Sequence, residues 1–185
     1  MANRAVQAMR DGLLTLSAWD LDDALFTLDD DGIDLKRWGM WDSVGSSYSG
    51  DASLEELRPW FSSWAILGTN FPNGTEILAT DAHSDSGIYA SAGRTPDGSY
   101  SVAIVSTTAS AKSVNVLIDG GPRVSRLQHY AYFSNDRRTD SQGYPVPKPA
   151  RDGVNSETGV NVTLPGPGLV VLSFAGVGAT GDARR

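Results

Sequence analysis

The groups in this sequence that could do chemistry are carboxylates and tryptophans. Asp20, Asp22 and Asp23 follow directly on Trp19, and Asp29, Asp30 and Asp31 form a second acidic cluster ahead of Gly32. Carboxylates at this density can accept hydrogen bonds from hydroxyl groups, hold a hard cation such as calcium through oxygen, or cap and solvate a loop. The D-x-D-D spacing lacks the rest of a calcium loop, which favours solvation over a metal. Trp38 and Trp41 flank Gly39 in a loop and could line a cleft. Trp60 and Trp64 stand four residues apart at helical spacing and read instead as core or interface.

The other reactive types give nothing comparable. His83 and His129 are the only histidines, and cysteine is absent, so neither a zinc site nor a Ser/His/Asp triad can be assembled around them. His129, inside the run His129-Tyr130-Ala131-Tyr132-Phe133, reads as a packed or surface strand residue. Gly120-Gly121 and Gly166 to Gly168 are turn glycines, because neither stretch opens a helix after a strand as a phosphate cradle must. No metal or other cofactor is implied. Asn73-Gly74-Thr75 and Asn161-Val162-Thr163 match the glycosylation sequon, which matters only in a eukaryotic secretory pathway.

The elements that must position these groups change in character near Pro72. All five tryptophans and the helical signals precede it; short alternating runs broken by Gly, Pro, Asn and Asp follow it. Ala5, Val6 and Met9 recur at helical spacing over Asn3 to Asp11, and Gly12 stops the pattern as a C-cap. Leu13 to Trp19 is apolar with small residues, the pattern of a strand buried on both faces, and ends at the acidic patch. After a Gly/Ser-rich loop, Ser53 and Glu56 form a capping box for a helix from Leu54 to about Gly68, with Leu57, Trp60, Phe61, Trp64 and Leu67 on one apolar face. Strands are expected at Ile77 to Thr80, Ile88 to Gly93, Tyr100 to Thr107, Ser113 to Ile118, Val124 to Tyr132, Val160 to Leu164 and Gly168 to Phe174. Pro96-Asp97-Gly98, Asp119-Gly120-Gly121-Pro122 and Pro165-Gly166-Pro167-Gly168 fit hairpin connections between them, making a meander. About seven short strands so punctuated predict a β-sandwich. The tail after Gly176 is expected to fray.

Composition bounds the function. A chain of 185 residues cannot hold a complete (β/α) barrel, which needs about 250. The formal charge of -7 opposes nucleic-acid and anionic-membrane binding, since phosphate contact needs clustered Lys and Arg and only Arg137-Arg138 and Arg184-Arg185 are paired. Met1 to Met9 lacks the apolar core of a secretory signal, and no run approaches the ~18 apolar residues of a membrane span, so localisation is not fixed by the sequence.

The order of signals resembles a known architecture. A helix, a buried strand ending Ser17-Ala18-Trp19-Asp20-Leu21-Asp22-Asp23, the loop Trp38-Gly39-Met40-Trp41, the helix around Leu57-Arg58-Pro59-Trp60-Phe61 and a β-sandwich resemble the C-terminal portion of clan-A-like retaining glycoside hydrolases. The resemblance implies a mainly β fold in which residues 1–72 are the end of a (β/α) barrel, with one strand and two helices. Residues 73–176 would be an antiparallel β-sandwich and 177–185 a flexible tail. Asn3 to Asp11 would be the helix before the eighth strand, Leu13 to Trp19 the eighth strand, and Leu54 to Gly68 the last helix. The catalytic glutamates, at the ends of the fourth and seventh strands in that family, would precede Met1.

Retaining hydrolysis needs two carboxyl groups about 5 to 5.5 Å apart. Glu55 and Glu56 sit in the expected opening turn of a helix, Glu76 begins a strand and Glu157 lies in a loop, so none is placed as such a pair. No catalytic residue is therefore assigned. By the resemblance, Trp19, Trp38 and Trp41 would stack on or line a path for sugar, and Asp20, Asp22 and Asp23 would hydrogen-bond its hydroxyls. The expected partner is an oligo- or polysaccharide, and the expected function that of a non-catalytic part of a glycosidase. The alternatives are a stand-alone carbohydrate-binding module, motivated by Tyr89, Tyr100, Tyr130 and Tyr132 on strands, and an assembly domain that completes a partner chain, either the missing barrel portion or a second copy. The assembly reading follows from the unpaired backbone of Leu13 to Trp19.

Overall fold

The computed structural model of the chain describes residues 2–13, 17, 21–28, 32–36, 39–82, 87–123 and 125–176. The first helix, α1 (Ala2–Arg10), ends as the sequence predicts. Gly12 has φ +81°, and the amides of Gly12 and Leu13 return to the carbonyls of Met9 and Ala8, at 3.1 and 3.0 Å. This is a Schellman stop, and glycine takes its left-handed position without strain. Most of the expected strand from Leu13 to Trp19 lies outside the described residues, as do Trp19, Asp20 and Trp38 of the expected site.

Three elements before the sandwich differ from expectation. A hairpin, β1 (Ala24–Leu28) and β2 (Gly32–Lys36), pairs in antiparallel register around the acidic cluster at 29–31, which itself lies outside the described residues. Ser43–Ser49, expected as loop, is a short helix, α2, stopped by Gly50 at φ +70°. The capping box is not formed. Asp51, not Ser53, caps a single 3-10 turn at Ala52–Leu54, and the long helix α3 (Pro59–Asn70) starts only at Pro59. Proline explains the shift. It holds Arg58 extended (φ -74°, ψ 155°) and donates no N–H itself, so it suits the first helical position and bars the turn before it. The face of α3 that is buried is also rotated from the expected one, to Ser62, Ser63, Ile66, Leu67 and Asn70, which keeps only Leu67 of the expected apolar set.

Beyond Pro72 the expected strands form with small changes of boundary: β3 (Glu76–Leu78), β4 (Ile88–Arg94), β5 (Tyr100–Ser106), β6 (Lys112–Val116), β7 (Ser125–Phe133), β10 (Val160–Leu164) and β11 (Gly168–Gly176). β3 stops early because the Thr80 hydroxyl, not a backbone carbonyl, accepts from the Ala92 amide at 3.2 Å. Two strands were not legible: β8 (Asp136–Arg137) and β9 (Lys148–Val154). β9 carries Pro149 and a mixture of charges, tolerable because it lies against β7 with irregular register.

The topology is not a meander. The large sheet runs β3-β4-β5-β11-β7-β8, with β9 also on β7, while β10 and β6 form a separate pair. Of the three expected hairpin turns, Pro96-Asp97-Gly98 alone closes one, with the Thr95 amide on the Ser99 carbonyl at 2.9 Å. The turns at 119–122 and 165–168 instead carry the chain from the small sheet to the large one.

Both faces of the large sheet are covered. Val102, Ile104, Leu127, Val170, Leu172 and Phe174 face Val160, Val162 and Leu164 of the small sheet. Ala103, Val105, Tyr130, Leu169 and Val171 face Ala5, Val6, Ile66 and Leu67 of α1 and α3. The architecture is thus mainly β, antiparallel, with helices laid on the outer face of a sandwich. Double coverage accounts for the unbroken apolar run at Leu169 to Leu172, since neighbouring residues point into different cores.

Candidate functional site

The candidate site is built on the short segment Gly39 to Asp42, which threads between two others. The Trp41 amide donates to the Leu21 carbonyl at 3.1 Å, the Asp42 amide to Glu56 at 3.1 Å and the Arg58 amide to Met40 at 2.8 Å. Gly39 is required by proximity: a Cβ there would lie 2.5 Å from the Asp23 amide nitrogen.

Beneath this crossing lies a buried ionic knot. The Asp23 side chain is wholly buried and receives both terminal nitrogens of Arg58, one of them 2.6 Å from Oδ2, together with the Gly39 amide at 2.9 Å. Arg58 also donates to the Gly39 carbonyl at 3.0 Å and approaches Asp42 at 3.4 Å. The Trp60 indole donates to the same carbonyl at 3.1 Å. The hydrogen bonds from Arg58 hold the Asp23 carboxyl below its ordinary range against the opposing effect of burial, and the same contacts raise Arg58.

Asp22 has a different task. It accepts from the Ser43 hydroxyl and from the amides of Ser43 and Val44, each at 3.1 Å, so it caps α2 from outside that helix. Burial pushes its pKa up, but the Ser43 hydroxyl and the amides of Val44, Asp23 and Ser43 outweigh it and leave the carboxyl below its usual value. Asp22 and Asp23, expected to meet sugar hydroxyls, are therefore occupied by internal partners. Their geometry is that of supports.

Of the expected site residues that are described, Trp41 alone presents its side chain outward, 40% exposed. It stands opposite Leu57 in an antiparallel bridge, and Leu57 reaches Gly143. Tyr144 follows Gly143, is 47% exposed, and meets Phe61 edge-on with ring centroids 5.6 Å apart. Sequence reading missed Tyr144. The signal was the turn Asp140-Ser141-Gln142-Gly143-Tyr144-Pro145, where an aromatic sits among turn formers that cannot bury it.

The tyrosines expected on the sandwich surface are placed otherwise. Tyr130 is buried, Tyr89 and Tyr132 pack against the helix cluster, and Tyr100 packs inside the sandwich. Arg137 further covers the Tyr132 ring, 5.4 Å from its centroid. Alternation sent these rings inward, which a count of aromatics does not reveal.

The glutamates make no reactive pair among the described contacts. Glu55 and Glu56 are exposed and precede α3 instead of opening it, Glu76 begins β3, and Glu157 bonds the exposed Arg123 at 2.8 Å. Among the described residues no cluster of His, Asp and Glu converges to hold a metal ion, and no helix is long and apolar enough to cross a membrane. His129 faces the sandwich interior beside β9. Burial, with Lys148 and Arg151 nearby, lowers its pKa to about 4.

No protein-family model and no curated protein matches the sequence significantly. Solved structures do match. A family 30 endoxylanase from Clostridium papyrosolvens superposes with a TM-score of 0.51 at 15% identity over 64% of this chain and 28% of its own. A family 30 subfamily 8 xylanase from Clostridium acetobutylicum gives 0.57 at 10% identity over 75% and 31%. The catalytic domain of xylanase C from Talaromyces cellulolyticus gives 0.53 at 16% over 76% and 28%. In fold, this chain is similar to part of family 30 glycoside hydrolases. It spans less than a third of the length of those structures, and at these identities the likeness is one of fold.

Proposed function

We propose that this chain is the non-catalytic C-terminal portion of a barrel-type glycoside hydrolase, acting on O-glycosidic bonds only together with the rest of a barrel. Residues 1–72 are on this reading the end of the barrel, 73–176 the sandwich and 177–185 its tail. The observation that carries it is the superposition on three family 30 xylanases, which uses most of this chain but under a third of each of theirs. The carboxylates support it: Asp22 and Asp23 are engaged internally, and Glu157 is paired with Arg123.

On this reading Trp19, Asp20, Trp38 and Trp41 are the sugar-facing residues, the segment Gly39 to Asp42 that carries Trp41 is supported by the Asp23–Arg58 knot, and the partner is the rest of a barrel. The chain alone is expected not to hydrolyse aryl xylosides, aryl arabinofuranosides or xylan. Turnover that a single carboxylate substitution abolishes refutes the proposal.

A further inference from the structure

We infer that the groove beside β6 is a docking slot for one extended strand, supplied by a partner chain whose arm is apolar at alternate residues and basic at its flanks. The groove encloses about 690 Å³. Its floor is the inner face of the large sheet, at Ile88, Ala90 and Ala92 of β4 and Val102 and Ile104 of β5. One wall is residues 114–119, in β6 and just beyond it. The other is residues 78–82, which run on from β3 and are pinned where the Thr80 hydroxyl accepts from the Ala92 amide at 3.2 Å. Side chains alternate along a strand, so consecutive residues of β6 can all border one space only if that space runs along the strand's edge.

The sandwich is closed beneath β10 and open beside β6. Val160, Val162 and Leu164 of β10 are buried, whereas Val114, Val116, Ala90 and Ala92 belong to the same core and are only half-buried. Leu117, which lines the groove, is 59% exposed. Among the described residues β6 hydrogen-bonds through one edge only, to β10, and no other backbone bond reaches residues 112–116. β6 has neither a proline nor a bulge, two of the devices that blunt a free edge against pairing.

The chemistry selects the occupant. A small apolar ligand covers the aliphatic floor but leaves the amides and carbonyls of the β6 edge without partners. An added strand satisfies both, with hydrogen bonds to β6 and alternate side chains on Ala90 and Ala92. The floor of the slot is this chain's own β4, so the occupant brings no second sheet with it. A second copy is thereby excluded, because its small-sheet strands already lie over a large sheet of their own. The two charged residues that line the groove, Asp81 and Asp119, are both acidic and both exposed, which favours Lys or Arg on either side of the apolar run. The inference uses none of the sugar-facing residues and stands apart from the proposed function.

The test is calorimetric titration of the full chain with a short peptide that alternates valine and threonine between terminal lysines, acetylated and amidated, with amide hydrogen exchange read along β6. Binding by the wild-type chain is expected, with slowed exchange at alternate residues of β6. The same peptide N-methylated along one edge should bind at least about tenfold more weakly, the size of one or two lost hydrogen bonds. Ala90→Leu, which raises the floor, should weaken binding by a similar factor, and the exposed pair Asp81→Lys, Asp119→Lys should turn the preference from the lysine-flanked peptide to a glutamate-flanked one. Circular dichroism of each variant confirms folding. Absence of wild-type binding overturns the inference, as does binding without protection in β6, equal binding of the N-methylated peptide, or binding of decanoate in preference to the peptide. A dimer of the chain in light scattering that Ala90→Leu abolishes overturns it in favour of a second copy. None of these outcomes bears on hydrolysis, so the proposed function stands or falls separately.

Discussion

Arg58→Met tests the part of the structure on which the candidate site depends. The substitution keeps the length of the aliphatic stem and removes the guanidinium, which donates to both oxygens of Asp23 and to the Gly39 carbonyl. Asp23 is left with the Gly39 amide and its side-chain hydrogen bond with Asp42, and its side chain has no exposure to water. Breaking one side of a buried ion pair costs about 3 to 5 kcal/mol, because the remaining charge is neither paired nor solvated. The protein can recover part of this by protonating Asp23, so the pH dependence carries the sign. In the wild-type chain the carboxyl lies below 3.8, and its contribution is present above that value and lost only as pH falls through the lower folded value. In Arg58→Met the largest influence that lowers it, the hydrogen bonds from Arg58, is gone, and burial raises it against the Gly39 and Asp42 hydrogen bonds that remain. The variant should therefore lose stability as pH rises from 4 to 7, where the wild type does not. Urea unfolding followed by tryptophan fluorescence reads this locally, since the Trp60 indole shares the Gly39 carbonyl with Arg58. The double variant Asp23→Leu, Arg58→Met should be more stable than Arg58→Met alone. A cost under about 1 kcal/mol for Arg58→Met, or additive costs in the pair, would refute the claim that the knot is a coupled buried charge pair.

Two further outcomes follow from the sandwich. The folded pKa of His129, about 4, lies below its ordinary 6.5, so the unfolded chain takes the proton first and stability is lost as pH falls from 6.5 towards 4. The interval corresponds to about 3 kcal/mol at full effect, reduced to roughly 2 by the partial exposure of the ring; His129→Leu should remove that loss between pH 7.5 and 5 in denaturant titrations, and an unchanged slope would contradict the burial of a neutral imidazole. At Gly168 a Cβ would lie 2.5 Å from the Tyr132 carbonyl oxygen, so Gly168→Ala should lower stability by about 1 to 3 kcal/mol, visible as a lower melting temperature. A neutral result would show that β11 and β7 can separate at Gly168.

What the sequence determined by itself were features set by neighbours along the chain. The Gly12 stop, the Pro96-Asp97-Gly98 hairpin and most strands are local, since they follow from backbone freedom and from alternation over a few residues. Even the missed hairpin of β1 and β2 was legible in this sense, because Asp31-Gly32 between alternating apolar residues is a turn signal. The start of α3 was also local, and Pro59 outweighed the apparent capping box.

Only the tertiary structure decided the strand order, the inward turn of the tyrosines and the identity of the site's supports. Pairing of β11 between β5 and β7 joins residues far apart in sequence, and nothing local encodes which strands meet. Asp22 and Asp23 look alike in sequence, yet one caps a helix and the other neutralises Arg58, 35 positions away. The physical reason is the same in each case: a carboxylate or a ring takes its role from the partner that burial brings to it, and that partner is chosen by the fold.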